Sequence, residues 1–105
     1  MKRGEIWWAQ LDPRAGRRPV LLLSRNKAYE IRLSVTVAPV TRTIRGISTE
    51  VNLDDKDGMP VKCVINLDDI ATVSKNILIE KLTTLSEEKM KKVTEAIVFA
   101  LDLNN

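Results

Sequence analysis

The chain has 105 residues, 44% of them hydrophobic and 30% charged, with a net charge of +3 and a pI near 9.2, which suits one domain, 1–105, around a single core. It has no histidine and one cysteine, which excludes a Ser-His-Asp triad, a zinc site and an internal disulfide. No run of about 18 apolar residues occurs, and MKRGEIWW passes straight into a strand-like pattern, so neither membrane insertion nor export is indicated and a cytoplasmic location is expected.

In chain order, EIWWAQL (5–11) reads as a strand, with Trp7 and Trp8 facing opposite ways, one toward the core and one toward the surface or a dimer partner. LDPRAG follows as a loop marked by Asp-Pro and Gly. Pro19 opens PVLLLS, a buried strand whose first position tolerates a missing N–H. NKAYEIR (26–32) forms one or two helical turns. LSVTVAPV (33–40) alternates, placing Leu33, Val35 and Val37 on one face and Ser34, Thr36 and Ala38 on the other. TRTIRG is a basic loop, STEVNL (48–53) a short strand and DDKDGMP (54–60) an acidic loop. VKCVINL (61–67) alternates again with Val61, Cys63, Ile65 and Leu67 inward, making Cys63 a small core residue rather than a reactive one. ATVS (71–74) is a short strand leading to the only long helix. That helix has Ser86 as N-cap, Glu87 and Glu88 at its positive end, and Leu85 with Met90 as a hydrophobic staple. Met90, Val93, Ile97, Ala100 and Leu101 form its apolar stripe, and KMKKV reads as its solvated face. Short strands followed by one amphipathic helix suggest a small twisted barrel or curled sheet with the helix packed on it.

The modest net charge conceals an uneven distribution. Residues 1–49 carry all eight arginines and a net +7, whereas residues 50–105 carry −4. Arginine's planar fork suits phosphate, so an anionic partner, nucleic acid above all, fits the first half. Three loops could converge at one end of a barrel: DPRAGRR, VTRTIRG and NLDDI. The first two bring arginine with glycine; the third brings Asn66, Asp68 and Asp69 beside a buried strand. Each loop alone is also consistent with ordinary solvated charge or turn chemistry. If the chain cleaves RNA by 2′-hydroxyl attack, arginine can stabilise the extra negative charge but is a poor base. A carboxylate or polarised hydroxyl must then help, and Thr41, Asp68 and Asp69 are the available types. No carboxylate-rich two-metal cluster is evident, which favours a metal-independent reaction.

Taken together, RGEIWWAQLDP, GRRPVLLLS, VAPVTRTIRG, CVINLDDIATVSK and LTTLSEEKMKKVTEAIVFALDL resemble, from end to end, the MazF/PemK family of toxin-antitoxin endoribonucleases. The resemblance implies a mainly β fold, an SH3-like small β-barrel with a C-terminal helix. It also implies a homodimer, sequence-selective cleavage of single-stranded RNA without metal or other cofactor, and an inhibitory cognate antitoxin with a wrapping tail. Arg18 matches the family's catalytic arginine and Thr41 its active-site threonine or serine, with a 2′,3′-cyclic phosphate and a 5′-hydroxyl as products. Arg14, Arg17, Arg42 and Arg45 fall in the flanking loops as RNA contacts, and Asn66 and Asp68 lie where other members place residues that act in catalysis or RNA reading. The chain departs from many members in its shorter first loop, DPRAGRRP, and in Ala71, where many carry arginine. Both changes bear on the recognised sequence and on whether messenger, transfer or ribosomal RNA is the target. A non-catalytic barrel that binds nucleic acid, or one that poisons gyrase, is the alternative; the ending ALDLNN, without an aromatic residue, argues against the gyrase reading.

Overall fold

The apolar run after Pro19 is too continuous to leave one face in water, and the computed structural model buries it on both. Val20, Leu21 and Leu22 are all buried in β2 (Arg18–Leu22), Leu21 in one apolar cluster and its two neighbours in another. Residues 1–10 and 12–103 are described; Leu11, the end of the expected first strand, lies outside them, as do Asn104 and Asn105 of the C-terminal ending.

Six more strands and two helices surround β2: β1 (Glu5–Ala9), α1 (Ala28–Ile31), β3 (Ser34–Thr41), β4 (Glu50–Leu53), β5 (Cys63–Asn66), β6 (Ala71–Ser74), β7 (Leu78–Thr84) and α2 (Glu87–Ala100). Every pairing is antiparallel, in the order β4-β5-β3-β2-β1-β7. The long strand β3 meets β2 along one edge and, along the other, β6 through residues 34–37 and β5 through residues 40–41.

The sheet is strongly curled, but among the described residues its end strands β4 and β7 do not pair, so the expected barrel is not closed by strand pairing. Side chains bridge the gap instead. The Thr83 hydroxyl of β7 donates to the Asp57 carbonyl just beyond β4 at 3.0 Å. Lys89 of α2 reaches the Asn52 carbonyl at 2.9 Å and Asp57 at 3.5 Å. The first lysine of KMKKV is therefore a structural clasp, and the solvated face is left to Lys91 and Lys92.

Helix α2 begins as its sequence dictates. The Ser86 hydroxyl accepts the Lys89 N–H at 3.1 Å, satisfying one of the free donors of the first turn. Leu85 and Met90 both join the main core cluster, with Val93 and Ala96 buried beneath the helix. Ile97 and Ala100 pack against that cluster, whereas Leu101 is exposed beyond the last turn.

Three further expectations need correction. Leu33 is 86% exposed because β3 begins only at Ser34. Ala38, expected on the polar side, is buried, since β3 like β2 has apolar material on both faces. Val61 is exposed because it precedes β5 in a turn. Residues 78–84, which carry no strand signal of their own, form β7 and pair along the whole of β1.

Candidate active site

Strand register assembles the site. Val20 lies opposite Pro39, the last pair of the β2–β3 ladder, so Arg18 and Thr41, each two residues beyond it, leave the ladder at the same end. Each is fixed from its other side, Arg18 by pairing with Ala9 of β1 and Thr41 by pairing with Val64 of β5. Pro19, opposite Trp8, follows Arg18 directly, so a ring of fixed φ anchors the arginine's strand.

Arg18 and Thr41 stand between two clefts and line both. The first, about 300 Å³, is largely apolar, with Trp8, Pro60 and Val61 on its walls, Cys63 beneath, and Arg17 and Arg42 at its charged side. The second, about 340 Å³, sets Thr43, Arg45, Glu50, Asn66 and Asp69 against an apolar wall of Val20, Pro39 and Val40. Four of the six residues expected to contact RNA are thus gathered around Arg18 and Thr41. Arg14 and Asp68 line neither cleft. The Arg14 N–H is held by Asp12 within its own turn at 2.9 Å, and the Asp68 carboxylate accepts the Thr49 hydroxyl at 2.6 Å.

Local bonding gives the arginines different standing. The Arg17 guanidinium donates to Glu80 at 2.7 Å and lies 5.2 Å from the centre of the Trp8 ring, a cation-π arrangement. Arg17 thereby becomes part of the first cleft's wall. Arg18 is exposed. The Thr41 hydroxyl oxygen accepts the Thr43 N–H at 3.1 Å, which leaves its proton available to a ligand. Asn66, buried, accepts the Asp68 N–H at 2.9 Å and donates to Asp69 at 2.9 Å, so its amide orients the Asp69 carboxylate at the second cleft. Burial pushes the Cys63 thiol above its ordinary pKa, with Asp57 and Asp54 adding to the effect. A protonated thiol in an apolar wall is a packing group, as the sequence suggested.

Trp8 and Glu50 line the clefts although the expected site did not include them, and of the two expected carboxylates it is Asp69, not Asp68, that lines the second cleft. The β1–β2 register brings in Trp8 opposite Pro19, the β4–β5 register Glu50 opposite Asn66, and the 3₁₀ turn after β5 Asp69; no local motif marks them.

The family model described as a PemK-like, MazF-like toxin of a type II toxin-antitoxin system matches residues 2–101. The chain belongs to the PemK/MazF-like toxin family. It is 39% identical to the probable endoribonuclease MazF5 of Mycobacterium tuberculosis, over 95% of this chain and 92% of that protein. Its fold is similar to the Mycobacterium tuberculosis toxin MazF-mt6, with a TM-score of 0.87 and 35% identity over 96% of this chain and 99% of the other. It is similar also to an endoribonuclease solved in complex with its cognate antitoxin from a mycobacterial species, with a TM-score of 0.89 and 28% identity, covering 100% and 98% of the two chains. The PemK/MazF match takes in both clefts and all of α2. Among the described residues no helix is long and apolar enough to cross a membrane.

Proposed function

We propose that this PemK/MazF-family toxin is a sequence-specific endoribonuclease of a toxin-antitoxin module. It acts in the cytoplasm as a homodimer, one domain per chain, and is held inactive by a cognate antitoxin. The observation that carries the reading is the placement of Arg18 and Thr41 on the ridge shared by both clefts. A single strand laid across that ridge would put one nucleotide in each cleft and the connecting phosphate on Arg18 and Thr41. Relatives that cover nearly the whole chain are named as endoribonucleases, which supports the same reading.

In the proposed reaction the 2′-oxygen attacks the adjacent phosphorus. The new P–O2′ bond forms as the P–O5′ bond breaks, and the departing O5′ takes a proton from solvent water, leaving a 2′,3′-cyclic phosphate and a 5′-hydroxyl. Arg18 stabilises the charge that accumulates on the non-bridging oxygens, and the Thr41 O–H donates to one of them. With arginines supplying that charge stabilisation, the step is written without a metal. The 2′-hydroxyl proton needs an acceptor. Of the neighbouring aspartates only Asp69 lines the cleft, so we assign it this role and leave Asp68 to hold Thr49.

The test is incubation of the purified protein with mixed-sequence single-stranded RNA in EDTA, followed by mapping of the new ends. Cleavage at a short preferred sequence, with cyclic phosphate and 5′-hydroxyl ends, is the expected outcome. Intact RNA at stoichiometric protein would sink the proposal.

A further inference from the structure

The segment between β3 and β4 carries Arg42 on the first cleft and Arg45 on the second, although residues 42–46 have no regular structure. Side-chain oxygens at its two ends give it a shape. At the near end the Thr41 hydroxyl accepts the Thr43 N–H at 3.1 Å. At the far end one oxygen of Glu50, Oε1, accepts both the Arg45 N–H at 3.0 Å and the Gly46 N–H at 2.9 Å. Gly46 has φ +71°, a left-handed conformation in which glycine carries no steric cost. Successive N–H groups in such a turn converge into a hollow that holds an anion. Here the anion is the chain's own carboxylate.

Glu50 is well placed for this. It opens β4 opposite Asn66 of β5, and its own N–H donates to the Ile47 carbonyl at 3.0 Å, so its backbone is fixed on a strand while its side chain reaches back to the loop. A carboxylate beside a phosphate-binding surface would repel substrate. Two charge-assisted bonds from backbone N–H groups offset that cost by giving the charge local partners.

Resting on the ribonuclease reading above, we infer that Glu50 is a positioning residue, clamping the 42–46 loop so that Arg42 and Arg45 flank Thr41 in a fixed geometry. The competing possibility is that the Arg45–Gly46 hollow is a phosphate site which Glu50 merely blocks. The two differ in sign. A clamp lost weakens catalysis, whereas a blocker lost tightens RNA binding.

The experiment compares wild type, Glu50→Gln and Glu50→Ala. It measures kcat and KM on one cleavable RNA, the affinity for its 2′-deoxy analogue, and amide hydrogen exchange at Arg45 and Gly46. The glutamine amide oxygen can still accept both N–H groups, so Glu50→Gln should stay within about threefold of wild-type kcat. Glu50→Ala should lose about tenfold or more in kcat, with Arg45 and Gly46 amides exchanging about tenfold faster or more. Glu50→Asp, one methylene shorter, gives the same readout should the alanine variant unfold. Equal kcat in all three proteins, tighter binding in both neutral variants, or unprotected amides in wild type would each overturn the clamp. If wild type leaves RNA intact, the ribonuclease reading has failed; the exchange rates and analogue affinities then still decide whether Glu50 fixes the loop.

Discussion

Arg18 bears the chemical burden of the proposed site, and its exposure separates that role from folding. Arg18→Ala should lower kcat by about 10²-fold or more, the scale of losing a charge stabiliser in a transition state. Its stability should stay within about 0.5 kcal/mol of wild type, as for other surface substitutions. Arg18→Lys keeps the charge but not the planar fork and should recover little activity. A melted domain with unchanged activity per folded molecule would reduce Arg18 to an ordinary strand-start charge. Arg17 differs, because its ion pair with Glu80 joins side chains 42% and 66% exposed and contributes little to stability. Both arginines of the RRP triplet line the first cleft, and because the strand begins only at Arg18, it is the bonding of Arg17 to Glu80 and Trp8, not strand alternation, that separates them. Which cleft each residue enters was not legible, because that depends on strand register between segments far apart in sequence. Asp68 and Asp69 make the same point. The 3₁₀ turn at Leu67–Asp69 sends one to Thr49 and the other to the second cleft, and nothing local in NLDD ranks them.

At the scale of elements, α2 was legible from its cap, staple and stripe, whereas β7 was hidden by its pairing. Two register shifts, between Ile6 and Trp7 and between Trp8 and Ala9, interrupt the β1–β7 ladder. Each resets which side chains face inward, so the two-residue period is lost over NILIEKLTT. Glu5 helps hold this irregular pair together. Its side chain, 10% exposed, accepts the Lys2 N–H at 3.0 Å and the Trp7 indole N–H at 2.9 Å, and lies 3.3 Å from the Lys81 ammonium of β7. Burial pushes its carboxyl up, but these donors and the Lys81 charge outweigh it and hold the pKa below the ordinary 4.5. A carboxylate depressed on folding stabilises the protein above its unfolded pKa, and that stability is lost as pH falls through the folded value. Thermal unfolding should therefore show Tm of wild type falling more steeply than that of Glu5→Gln as the pH drops below 4.5, with the variant the less stable at neutral pH. Parallel acid limbs would show that Glu5 is not a linked group. The other seam, between the turn after β4 and β7, depends on Gly58. Its φ of +86° is left-handed, and a methyl there would overlap the Thr83 side chain. Gly58→Ala should cost roughly 1–3 kcal/mol in urea unfolding; a loss below about 0.5 kcal/mol would mean that the seam yields freely.

For the whole molecule, a net charge of +3 understates the positive charge that RNA would meet at the clefts, even with Glu50 and Asp69 of the acidic half among their lining residues. Four arginines of the +7 half converge on the two clefts. From the acidic half, Glu80 returns to pair with Arg17, while Asp57 is engaged by Lys89 at the far seam. Among the described residues no ion pair engages Arg18, Arg42 or Arg45. Each arginine that neutralises a phosphate of a single strand releases counterions, steepening log K against log salt by about 0.7. Three such contacts predict a slope of about −2 for a 2′-deoxy analogue, which binds without being cleaved. Arg45→Ala should reduce its magnitude by about 0.7 and weaken binding to all sequences alike. Arg14→Ala, which alters a side chain outside both clefts, should leave the slope near wild type, and its affinity close behind. A slope insensitive to Arg45 but diminished by Arg14 would move the nucleic-acid surface off the Arg18–Thr41 ridge and onto the first loop.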